Sequence, residues 1–81
     1  MKFKTVTGSL YEIDLPNNRV RRLTGTKAVT NHQNDDGDWQ DYLEVSEVKV
    51  GVGVFITWRY DIVEGDTIAR NTLTSDVAEI I

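Results

Sequence analysis

Val48-Lys49-Val50-Gly51-Val52-Gly53-Val54-Phe55-Ile56-Thr57-Trp58-Arg59-Tyr60-Asp61 carries a large apolar or aromatic side chain at every even position from 48 to 60. A period of two is the mark of a strand with one buried face, whereas a helix would scatter these residues around its circumference. Gly51 and Gly53 interrupt the run, so the stretch is predicted to bend there or to turn between two shorter strands. Lys49 and Arg59 flank its most aggregation-prone part with charge. Trp58, set among the alternating valines, is assigned to the core.

The same punctuation continues on both sides. Phe3 to Thr7 and Leu10 to Leu15 are strand-like runs separated by Gly8-Ser9, a dipeptide suited to a type II′ turn. Tyr11, Ile13 and Leu15 share one face of the second run, and Glu12 and Asp14 share the other. Pro16-Asn17-Asn18 turns the chain again, and Arg19 to Thr24 returns. Val20 and Leu23 are three apart, so both can face inward only through a bulge or a sharp twist. Thr26 to Asp38 is polar and aperiodic. Asp36-Gly37 reads as a type I′ turn ahead of Trp39, Tyr42, Leu43 and Val45. Glu64-Gly65-Asp66 is a further turn, and Thr67 to Thr74 and Val77 to Ile81 read as closing strands. About six or seven short strands predict an all-β domain, an SH3-like barrel by preference and a compact two-sheet sandwich next.

The chain of 81 residues forms one domain, residues 1–81, with 40% hydrophobic residues, a share too high for intrinsic disorder. Cysteine is absent, which removes disulfides, thiolate metal sites and cysteine nucleophiles and fits a reducing compartment. Thirteen acids against nine bases give a net charge of −4, a balance opposed to duplex binding. Met1-Lys2-Phe3-Lys4-Thr5 has no apolar run behind its charges, so no signal peptide is predicted. Val50 to Ile56 is far shorter than the roughly 18 residues of a membrane span. The expectation is a soluble cytoplasmic protein.

Thr7-Gly8-Ser9-Leu10-Tyr11-Glu12-Ile13-Asp14, Arg19-Val20-Arg21-Arg22-Leu23, Asp36-Gly37-Asp38-Trp39 and Asn71-Thr72-Leu73-Thr74-Ser75 together resemble small accessory proteins encoded by phages of actinobacteria, mycobacteriophages in particular. The resemblance spans most of the chain and rests on hairpin chemistry. It implies an origin, and expression inside the host cell, where some such proteins bind host proteins. It assigns no catalytic or binding residue.

The residue types that could carry chemistry lack the companions that chemistry needs. With Gly37 at the sixth position of an EF-hand loop, His32 and Leu43 would fall where oxygen ligands are needed, so the motif fails. His32 is the sole histidine and lacks partners for a metal site. No nucleophile elbow surrounds Ser9, Ser46 or Ser75. Glu12 and Asp14, about 7 Å apart on one strand face, read as solvated surface acids. Gly51-Val52-Gly53 lacks the remainder of a dinucleotide fingerprint. Neither an enzyme nor a cofactor is predicted.

Three functions follow. The first is a non-catalytic module that engages a host protein through Asp35, Asp36, Asp38, Trp39, Asp41 and Tyr42, with Trp39 as anchor or, alternatively, as a plug over the core. The second is a nucleic-acid-binding barrel using Lys2, Lys4, Arg19, Arg21 and Arg22. Against it, the same arginines can form a salt-bridged ladder with Glu12 and Asp14 on the neighbouring strand. The third is self-assembly as a homodimer through a free edge at Phe3 to Thr7 or Val77 to Ile81.

Overall fold

The computed structural model describes residues 1–26, 28–29 and 32–81. Among these residues eight strands follow in order: β1 (Lys2–Thr5), β2 (Leu10–Asp14), β3 (Arg19–Thr24), β4 (Gln40–Asp41), β5 (Glu44–Val45), β6 (Phe55–Val63), β7 (Asp66–Leu73) and β8 (Val77–Ile80). They form two antiparallel sheets, one in the order β4-β3-β2-β1-β8 and one in the order β5-β6-β7. The core lies between them. Phe3, Tyr11, Ile13, Val20 and Val77 come from the first sheet, and Ile56 and Trp58 from the second. Tyr42 and Val54, outside the strands, complete it. Phe3 and Tyr11 face each other across β1 and β2 with ring centroids 5.1 Å apart and planes 9° from parallel.

The all-β expectation holds, in its two-sheet rather than its SH3-like form. β4 and β5 have only two residues each, and the long strand β7 pairs with β6 alone, so the sheets do not close into a barrel. The short β4 and β5 also bring the strand number above the six or seven expected. Phe3 to Thr7 is no free edge, because β1 lies between β2 and β8.

The alternating stretch is a strand only from Phe55 onward. Before it the chain turns at Gly51, with Val50 forming a single parallel bridge to Val77 and both Val50 and Val52 exposed. Val54, Ile56 and Trp58 are buried as the period requires, but Tyr60 is exposed. The reason is a β-bulge. Thr57 pairs with Asn71 and Arg59 with Arg70, leaving Trp58 as the extra residue. One inserted residue moves every later side chain of β6 to the opposite face. Trp58 itself is held inside by donation from Nε1 to Thr72 Oγ1 at 2.8 Å.

Turns follow local chemistry more closely than strand ends do. Asn18 closes a 3-10 turn over Leu15–Asn17 at φ 49°. Glu64 and Gly65, at φ 51° and 82°, make the two-residue type I′ hairpin between Val63 and Asp66. The β1–β2 connection is longer than a two-residue II′ turn. It runs from Val6 to Ser9, with Thr5 Oγ1 accepting from the Ser9 amide at 3.1 Å. β3 carries a bulge, one of the two devices that would let Val20 and Leu23 both face inward: Leu10 pairs with Thr24 and Tyr11 with Arg22, which leaves Leu23 unpaired, but Leu23 is only half-buried and Arg22 takes the inward position. At Asp36-Gly37 only Gly37 has a positive φ, so that turn is not type I′. No helix among the described residues is long and apolar enough to cross a membrane.

Candidate interaction surface

Alternation puts Lys2 and Lys4 on the outer face of β1, Glu12 and Asp14 on that of β2, and Arg19 and Arg21 on that of β3. The register aligns Lys2, Glu12 and Arg21 in one row and Asp14, Arg19 and Asp41 in the next. Lys4 lies opposite Glu79 of β8. Four cations on this face therefore meet four carboxylates, and the face carries no excess positive charge. The bonds are specific: Arg21 Nη2 reaches Glu12 Oε1 at 2.7 Å, and Arg19 Nε donates to Asp14 Oδ2 at 2.8 Å. These are the rungs of the ladder. Asn17 Nδ2 also donates to Asp14 at 2.9 Å, and together with Arg19 it holds the Asp14 carboxyl below the usual carboxylate range.

Arg22 departs from the basic group proposed for nucleic acid. It occupies the inward face of β3, buried, with Nε donating to Asp36 Oδ1 at 2.5 Å. The Gly37 amide donates to the Arg22 carbonyl at 2.7 Å, so the acidic turn is docked on β3 rather than free.

Trp39 is neither an exposed anchor nor a core plug. It is half-buried over the ladder, with the Arg19 and Arg21 guanidinium carbons 4.5 and 4.3 Å from its ring centroid. Each contact is worth about 0.5–1 kcal/mol at such a site. Tyr42, expected as a contact residue, is instead 7% exposed and part of the core. Desolvation, with the negative Asp14 nearby as a smaller cause, pushes its phenol above the ordinary value. Asp35, Asp38 and Asp41 are exposed. The turn is further closed by residues that no sequence motif marks. Gln40 Oε1 accepts from the Asn34 amide at 2.7 Å, Gln40 Nε2 donates to the His32 carbonyl at 2.5 Å, and Asn34 Nδ2 donates to the Trp39 carbonyl at 3.2 Å. Among the described residues no group of three or more His, Asp and Glu side chains could hold a metal ion.

The most exposed large apolar side chain among the described residues, Ile62, lies elsewhere, on the β6–β7 hairpin. β5 pairs with β6 only at Ile56 and Thr57, so beyond the Trp58 bulge β6 and β7 have only each other. This two-stranded arm belongs to a molecule 41 Å long and 27 by 24 Å across. Phe55 pairs with Leu73, Tyr60 with Ala69 and Ile62 with Thr67, which sets all six on one face of the hairpin. Leu73 is 64% exposed, Tyr60 52% and Ile62 80%. On the opposite face of the arm Asp61 accepts from Arg70 Nε at 2.9 Å and from Arg59 Nε at 3.1 Å, and these two guanidiniums keep its carboxyl below the usual range. The bulge could not be read from periodicity, because Tyr60 and Ile62 continue the even-numbered run without a break.

No family model matches the chain, and neither a curated protein nor a solved structure matches it.

Proposed function

We propose that this chain is a non-catalytic protein-interaction module whose contact surface is the apolar face of the β6–β7 arm. A single observation carries the reading: Tyr60 and Ile62 stand exposed on one face of the arm beyond the Trp58 bulge, and Phe55 and Leu73 are exposed on the same face nearer the body, past the buried Thr57. Large apolar side chains exposed together on one face of a small domain mark a place where something binds. A lone two-stranded ribbon is also marginally stable in water, so an apolar partner surface laid on the arm gains from ordering it as well as from burial. The resemblance to actinobacteriophage proteins directs the search for that partner to host-cell proteins. The acidic turn with Trp39 becomes a structural lock on the ladder in this reading, and the surface moves from Asp35–Tyr42 to the arm.

The test is affinity capture from nuclease-treated actinobacterial lysate with wild type, Trp39→Ala and Tyr60→Ser/Ile62→Ser in parallel. A host protein retained by wild type and Trp39→Ala but lost with the double variant is the expected result. Retention by the double variant would sink the arm as the contact surface.

A further inference from the structure

We propose that the free edge of β7 pairs with β7 of a second copy of this chain, antiparallel and centred on Ile68, making one continuous four-stranded sheet from two arms. The pairing uses the edge of the arm and goes beyond the reading of its apolar face. Three observations on the strand converge on it.

The first is hydrogen-bond parity. Val63 and Asp66 flank the two-residue turn, whose bond from residue i to residue i+3 joins them. Bonded and non-bonded pairs alternate along an antiparallel ladder. Asp66, Ile68 and Arg70 therefore direct their backbone groups to β6, while Thr67 and Ala69 direct theirs to the open edge. Among the described residues no strand takes them up. With Ile68 opposite Ile68 of the second copy, Thr67 falls opposite Ala69, and these two residues exchange both of their bonds. The two-fold axis repeats the exchange.

The second is charge. In the same register Asp66 falls opposite Arg70 of the second copy, and Arg70 opposite its Asp66. Both are non-bonded pairs, in which opposing Cα atoms come nearest, at about 4.5 Å. Within one chain Arg59 and Arg70 are cross-strand neighbours sharing the single Asp61 carboxylate, and Asp66 makes no ion pair among the described residues. The second copy supplies the missing carboxylate to Arg70 and the missing guanidinium to Asp66. No other position of the axis along this edge pairs these two charges.

The third is the lack of a guard. From Asp66 to Arg70 the edge has no proline, lysine or bulge, the usual devices against pairing. The far edge of β6 is bulged at Trp58 and covered at Ile56 and Thr57 by β5, and the edge of β8 is partly occupied, since Val77 donates to the Val52 carbonyl and accepts from the Gly51 amide. A five-residue pairing buries less than the roughly 1,200 Å² of a standard interface, so the dimer is of the weak, transient kind, to be looked for between about 10 µM and about 1 mM.

Sedimentation velocity over that range, from about 10 µM to about 1 mM, tests the pairing. Asp66→Arg sets two arginines against each other at both ends of the pairing, and Arg70→Asp sets two aspartates there. Each variant alone should therefore raise the dimer Kd at least about tenfold. Mixed at equal concentration they oppose arginine to aspartate at every contact and should recover the wild-type Kd within a few-fold. Ala69→Pro removes an outward amide while leaving the β6–β7 bonds, and should abolish the dimer. Hydrogen exchange on the wild type keeps the test free of any variant's folding: the amides of Thr67 and Ala69 should gain protection as concentration rises. A wild type that stays monomeric to the top concentration overturns the proposal. So does a dimer indifferent to all three variants, or one that protects β8 instead. A monomeric wild type that still captures a host protein through Tyr60 and Ile62 disposes of this pairing alone.

Discussion

Asp36 and its neighbours differ in consequence although the sequence presents them as equals. All three are exposed, but Asp36 is the partner of the buried Arg22 guanidinium, whereas Asp35 and Asp38 make no ion pair among the described residues. Removing one member of such a pair leaves a desolvated charge without compensation. Asp36→Ala should therefore cost about 2–3 kcal/mol in urea unfolding, and Asp35→Ala or Asp38→Ala within about 0.5 kcal/mol. Trp39→Ala gives up two guanidinium contacts and should cost about 1–2 kcal/mol. Equal losses for all three aspartates would contradict the docked turn. Titration adds a signed expectation. Asp14 and Asp61 have folded pKa values held below the ordinary value of 3.8, so their contribution is present above that pH and disappears as pH falls through the folded values. Asp14→Asn and Asp61→Asn should each flatten the acid limb of the stability curve below about pH 4. Tyr11 and Tyr42 are raised above 10.0, mainly by burial, so their contribution holds below that value and is lost as pH rises past it. Tyr42→Phe should reduce the alkaline loss seen in a denaturation series.

At the scale of elements, the junction of β6, β7 and the segment before them decides how the arm leaves the body. Gly53 lies against the strand end, where an added Cβ would run into the Thr74 carbonyl oxygen. Backbone cannot yield as a flexible side-chain end does. Gly53→Ala should therefore destabilise by about 1–3 kcal/mol in thermal or urea melts, and an unchanged midpoint would show that the contact is not as close as described. Thr74 Oγ1 accepts from the Val54 amide at 2.9 Å nearby, and Trp58 Nε1 donates to Thr72 across the bulge. These side-chain bonds replace ladder bonds where the pairing is irregular. The hairpins themselves were legible because their cues are local. Glu64-Gly65 and Pro16-Asn17-Asn18 set φ values within a few residues. The Trp58 bulge was not, because its cause is a mismatch in count between two strands rather than any residue within one.

For the whole molecule, the two sheets share one core while the arm takes little part in it. Trp58 is the last residue of β6 in the core, and every residue of β7 before Thr72 lies outside it. The arm should accordingly open more readily than the sandwich. The β6–β7 bonded amides of Asp61 and Ile68 should exchange faster in dilute protein than those of Tyr11 and Ile13, as measured by hydrogen exchange. Protection of the arm equal to that of β2 in dilute protein would mean that it is anchored more firmly than its contacts allow.

Alternation, turn dipeptides and composition by themselves determined that this chain is all-β, that Trp58 is core, and that Glu12 and Asp14 face arginines. These depend on neighbours in sequence or on one adjacent strand, where side-chain period and hairpin register suffice. Only the tertiary structure decided that the sheets remain open, that Arg22 and Tyr42 turn inward, that Trp39 rests on the guanidiniums, and that Tyr60 and Ile62 face outward. Each of those depends on which distant strand runs beside a residue and on how many residues that strand contributes. A period of two says that a strand has two faces; packing against the second sheet decides which of them is inside.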